Sequence, residues 1–217
     1  LVELAVVLVI VTLLLGGLLV PLSAQVDLRN ATDTQKLLAD SREALVGFAA
    51  SRQASDGKPY LPCPDTNNDG FEDRKPDKSC VSPEGGFPWT DLGLGREDAW
   101  GSRFRYRVAS DFSSSEAGFA LSTKGNLQVC TTADCSSGNK LAAEVPVVIV
   151  SHGKNGAGAV NQTGTINPLS TDADELENSD GDNSFVSHEA TSGFDDLVTW
   201  LSPNLLVYRM IAVGRLP

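Results

Sequence analysis

The sequence predicts an α+β fold in which one long N-terminal helix packs on an antiparallel sheet of about four strands, with long loops and short C-terminal helices. Three observations predict it. Leu1 to Ala24, LVELAVVLVIVTLLLGGLLVPLSA, is an almost unbroken apolar run with a single charge, Glu3. From Asp27 to Ala54 the chain becomes amphipathic, with Ala24, Leu28, Ala31, Leu38, Leu45 and Phe48 recurring at helical spacing in phase with that run. Beyond a stretch rich in Gly, Pro and Asn, β-branched and aromatic segments then alternate with turn residues, the pattern of strands.

A single helix of about 50 residues would span about 75 Å at 1.5 Å per residue. Its first half is apolar all round and needs lipid or other subunits; its second half needs a sheet over one face. About 20 apolar residues suffice to cross a bilayer, and an ionised carboxylate in such a segment costs about 3 kcal/mol unless paired. Glu3 is therefore a candidate functional residue, set in an apolar segment with Leu4, Val7, Leu8, Val11 and Leu14. Gly16, Gly17 and Pro21 lower helicity and mark a weak point. A secretory signal ending at Leu22-Ser23-Ala24 is the plain alternative, and Glu3 with the length of the run argues against it.

The chain divides into five segments: 1–25, the transmembrane or filament-core half of the helix; 26–54, its amphipathic half; 55–103, a loop region; 104–151, the sheet; and 152–217, an acidic loop with a helical C-terminal region. Strand candidates are Phe104 to Ala109, Gly118 to Ser122, Asn126 to Cys130 and Val145 to Ser151. Arg103, Arg105 and Arg107 alternate with Phe104, Tyr106 and Val108 and read as the solvated face of a strand. Ser192 with Asp195 offers a helix start, and Pro203 interrupts the helical stretch downstream.

The formal charge is -11, which repels phosphate backbones and argues against nucleic acid as a partner. Four cysteines, Cys63, Cys80, Cys130 and Cys135, admit three pairings. Chain-neighbour pairing, Cys63 with Cys80 and Cys130 with Cys135, is the favoured one, stapling the 55–103 loop. A four-thiolate zinc site lacks its usual C-x-x-C spacing.

Two acidic segments are candidates for calcium. Asp65, Asn67 and Asp69 with Gly70 and Asp73 match the first half of an EF-hand-like loop, but Pro76 stands where a bidentate glutamate is needed, so Glu72, Asp73 or a distant acid would have to serve. In T-D-A-D-E-L-E-N-S-D-G-D-N-S, with Asn183 beside them, the carboxylates of Asp172, Asp174, Glu175, Glu177, Asp180 and Asp182 repel one another, and a hard cation would relieve that. His152 and His188 fall in no hydrolase, metalloprotease or thiol-nucleophile motif, so neither an enzyme nor a small-molecule substrate is expected.

The run L-V-E-L-A-V-V-L-V-I-V resembles the N-terminal segment of type IV pilins and of type II secretion pseudopilins. Asp98-Ala99-Trp100-Gly101, with Tyr106 beyond, resembles the D-x-W-G-x-x-[FY]-x-Y element of that superfamily, and Ser151-His152-Gly153-Lys154-Asn155-Gly156 its S-x-G-x-[DN]-G turn. The resemblance implies a pilin fold, processing by a prepilin peptidase, residence in the inner membrane with its assembly machinery, then a homo-oligomeric helical filament at the cell surface. Glu3 would pair with a neighbouring subunit's N-terminal amine. Glu3 stands two positions early for the family, so the chain is read as lacking the first two mature residues. Pseudopilins also carry calcium in a C-terminal loop. Within the family the alternatives are the piston of a secretion system, in the periplasm, and a tip-located minor subunit or adhesin.

Overall fold

The computed structural model describes the backbone of residues 2–217 and the side chains of 2–12 and 23–217. Helix α1 runs Val2–Ser51. Its C-terminal half owes its stability to one face: Thr34, Leu38, Ser41, Leu45, Val46, Phe48 and Ala49 are all buried, a spacing of three and four that turns one stripe toward the domain. The remaining elements are β1 Glu84–Gly86, α2 Trp89–Leu92, β2 Arg105–Val108, α3 Ser110–Ser113, β3 Leu127–Cys130, β4 Lys140–Val145, β5 Val147–Ser151, α4 Ala173–Glu177, β6 Ser184–Val186, β7 Leu197–Leu201 and α5 Pro203–Ala212.

The larger sheet has the order β1-β2-β5-β7, all neighbours antiparallel. Strand β5, Val-Val-Ile-Val-Ser, is buried at every residue, as a central strand covered on both faces must be. One face packs on α1, which also touches β7, α2 and α5. The core gathers Leu38, Leu45, Tyr106, Phe112, Ile149 and Leu206, among others. A second sheet, β4-β3-β6, pairs β3 with β4 antiparallel and with β6 parallel.

The expected fold class does not hold. Among the described residues no helix is long and apolar enough to cross a membrane, which overturns the inner-membrane expectation. The strands fall into two sheets, one of which contains a parallel pair. The C-terminal region supplies β6 and β7 where short helices are expected.

Particular segments differ for physical reasons. Leu197–Leu201 is a strand because Val198, Thr199 and Trp200 favour a pleated surface and pair with the open edge of β5. Pro203 starts α5 instead of breaking a helix, since proline's missing N–H costs nothing in the first turn. Gly118 to Ser122 forms no strand. These arginines are not a solvated face: Arg105 and Arg107 of β2 both pair with Glu84 of β1, leaving Arg107 8% exposed, and Arg103, just before the strand, is 8% exposed over Trp89 with Asn68 as its hydrogen-bond partner. Cys63 bonds Cys80 and Cys130 bonds Cys135. No cysteine is left free for zinc.

Candidate functional site

The assembly residues lie at the far end of α1. Leu4, Val7, Leu8 and Val11 are 67, 56, 60 and 43% exposed, and Glu3 between them is exposed as well. Leu14, Gly16, Gly17 and Pro21 lie outside the described side chains. Exposure continues from Ser23 through Val26, so the domain covers only the second half of the helix.

The Asp65–Asp73 loop uses its acids on its own backbone. Asp65, 2% exposed, accepts the N–H of Asn67 and Asn68 at one oxygen and that of Gly70 at the other. Asp73 accepts from the Thr66 N–H and hydroxyl, and from the Asn67 amide. Glu72 takes the Cys63 N–H and pairs with Arg74, while Asp69 accepts from the Phe71 N–H. Their oxygens hold a turn, and these residues do not converge on one point.

The second acidic segment divides. Asp172 caps α4, accepting from the N–H groups of Asp174 and Glu175, the usual work of an N-cap carboxylate. Asp174 accepts the Ala133 N–H at 2.7 Å and meets His188 Nε2 at 3.2 Å. Glu177, Asp180 and Asp182 do come together, with an oxygen from each within 4.8 Å of the others. Burial, then the charges of Asp182, Asp180 and Asp174, push Glu177 up to about 7. Asp180 and Asp182 are exposed.

A more buried group joins Glu175 of that acidic segment to two aspartates that lie outside it. Glu175, Asp195 and Asp196 bring carboxylate oxygens within 4.8 Å of one another, with Glu175 2% and Asp196 3% exposed. Glu175 Oε1 accepts from the Asn155 amide and the Asp195 N–H. Asp195 Oδ2 accepts the Asn155 N–H, and Asp196 Oδ2 accepts from the Asn178 amide. The other oxygen of each aspartate, Asp195 Oδ1 and Asp196 Oδ1, is buried with no hydrogen bond. Burial, with the charges of Glu175 and Asp196, raises Asp195 to about 6.

Gly153 lets Asp195 pack directly against the backbone just past β5. At φ +55°, a Cβ there would lie 2.2 Å from the Asp195 carbonyl and 2.5 Å from Asp195 Oδ1. Converging carboxylates with orphaned oxygens fit a hard cation that takes oxygen ligands. The donor set would be Glu175, Asp195 and Asp196. The sequence signal was the Asp195-Asp196 pair immediately before an apolar strand; nothing local ties it to Glu175, which α4 delivers from a separate segment.

The two histidines serve the same region. His188 stacks on Phe194 with ring centroids 3.9 Å apart, and the buried His152 Nδ1 lies 3.5 Å from Asp196 Oδ1. Asp98 bonds the Ser151 hydroxyl at 2.6 Å, holding the end of β5 beside them; burial raises its carboxyl above the ordinary range.

No family model, no curated protein and no solved structure matches this chain. The resemblance to pilins and pseudopilins thus rests on short motifs alone, and the family assignment is withdrawn. In the fold those motifs have local roles: Ala99 N–H donates to Thr34 Oγ1 of α1, and Gly101, at φ +85°, makes the turn into β2.

Proposed function

We propose that this chain is a structural subunit of a pilus-like filament and no enzyme, polymerising through the N-terminal part of α1 with Glu3 paired to the terminal amine of a neighbouring copy. One observation carries the reading: every large apolar side chain from Val2 to Val11 is exposed, from 43 to 78%. A helix apolar on all faces is stable in water only in company. A carboxylate inside such a bundle persists when an opposite charge meets it, and like helices bring their own amines.

The test is Glu3→Ala. The domain should melt as wild type does, because Glu3 touches none of it, while sedimentable filament falls at least about tenfold, the loss of about 1.4 kcal/mol per contact. Normal filament yield, counted by negative-stain imaging, would remove Glu3 from the interface.

Calcium at Glu175, Asp195 and Asp196 is the second part of the proposal, supported by the two orphaned oxygens. Such an ion would tie α4 to the approach to β7. Calcium at about 100 times its Kd should stabilise the chelator-treated protein by about 2.7 kcal/mol, and Asp196→Asn should abolish the effect. A melting temperature unmoved by calcium sinks the site.

A further inference from the structure

Helix α5 is apolar on both sides. Leu206 and Met210 face inward and are fully buried, while Leu205, Tyr208, Ile211 and, just beyond the helix, Val213 are 39, 67, 46 and 56% exposed. Leu205, Tyr208 and Ile211 recur at a spacing of three, so they line one side of the helix. A helix that is apolar all round is covered all round in a stable protein, and an exposed apolar stripe marks an interaction surface. The charge of the segment narrows the partner. Residues 203–217 carry Arg209 and Arg215 and no acidic side chain, in a chain of formal charge -11. Their complement is an apolar patch rimmed by carboxylates.

Such a patch lies at the other end of the same domain. Leu176 of α4 and Leu169 are exposed; Leu169 and Ser179 both border Gly158, and the Ser179 N–H donates to the Leu176 carbonyl. Glu177, Asp180 and Asp182 gather beside them. Glu175 of α4 meets Asp195 and Asp196 just before β7, whereas α5 starts just after it, and a five-residue strand separates its ends by about 17 Å. Helix α1 runs past both ends. Asp27 pairs with Lys154, in the turn whose Asn155 amide holds Glu175, whereas Glu43 pairs with Arg209 and the Ala50 carbonyl accepts from Arg215. From residue 27 to residue 43 the helix rises about 24 Å.

We infer that α5 of one copy docks on the Leu169 and Leu176 patch of the next, a second contact of the filament besides the one at Glu3. Two different patches at opposite ends of a domain make a head-to-tail contact, which repeats without closing when copies stack with their α1 helices parallel. Leu205, Tyr208 and Ile211 supply the apolar centre. Arg209, facing Glu177, Asp180 and Asp182 of the neighbour, supplies a charged rim that sets register and partner choice. This contact presupposes the filament proposed above.

Cross-linking on the full chain tests it. The native cysteines are all in disulfides, so Tyr208→Cys together with Leu176→Cys supplies the free thiols. A short bis-maleimide should link filaments of the double variant into a ladder of dimers, trimers and higher species on denaturing gels, while either single variant stays monomeric. Both positions are exposed, so the melting temperature should not move. As a second measurement, Arg209→Glu should lower sedimentable filament at least about fivefold, and adding Asp180→Arg should restore it. Filaments without linkage, linkage in Tyr208→Cys alone, a ladder that stops at dimers, or normal yield from Arg209→Glu would each overturn this contact and leave the Glu3 pairing standing. No filament from the wild-type chain would overturn both.

Discussion

Glu177 shows what a single misfitting charge does to the molecule. Its carboxyl is pushed from 4.5 to about 7 by burial and by three acidic neighbours, so the folded chain holds a proton that the unfolded chain releases earlier. Below pH 4.5 the group is protonated in both states; as pH rises toward 7 the folded state alone resists ionisation and loses stability relative to the unfolded one. In chelator-treated protein the melting temperature should therefore fall between about pH 4.5 and 7, and Glu177→Gln should flatten that fall. An unchanged slope in the variant would place the source elsewhere. Asp195 obeys the same rule, with its own rise to about 6.

At the scale of elements, α1 is two objects in one helix. The half from Thr34 onward is held by its buried stripe; among the described residues the half before it is largely exposed and meets the domain at the exposed Asp27–Lys154 ion pair. Leu45→Ala, at a fully buried site, should cost about 2–5 kcal/mol in urea unfolding. Leu28→Ala, at a site 69% exposed, should change stability by no more than about 0.5 kcal/mol. Equal effects would mean that the stripe does not anchor the helix. That stripe was legible because a period of three and four survives any tertiary context. Strands β2, β3 and β5 were legible for a similar reason, their β-branched and aromatic content. Strand β1, Glu-Gly-Gly, carries no such signal; it exists because Gly85 and Gly86 let the backbone approach Asp65, whose carbonyl would lie 2.5 Å from a Cβ on Gly85. Strand β7 misled because Ser192, Asp195 and Pro203 carry helix-start chemistry, while the free edge of β5 decided otherwise.

For the whole molecule, what the sequence could not convey is which acids meet. Runs of carboxylates were conspicuous, yet most of their oxygens serve turns and caps, and the one group with orphaned oxygens joins Glu175 to Asp195 and Asp196 across a fold-dependent approach. Short motifs suggested a family, but they report local turns, and no match along the chain supports them. Cysteine spacing, by contrast, gave a sound account of the disulfide pairs.

The position of β7 has a consequence for synthesis. It completes the larger sheet from Leu197–Leu201, beside a β5 that is apolar through Val147, Val148, Ile149 and Val150. Until that late segment has left the ribosome, the middle of the sheet is an open apolar edge, the kind of surface on which nascent chains aggregate. A product that stops short of Leu201 would keep that edge permanently, so chaperones and proteases should meet this protein chiefly through its unfinished forms.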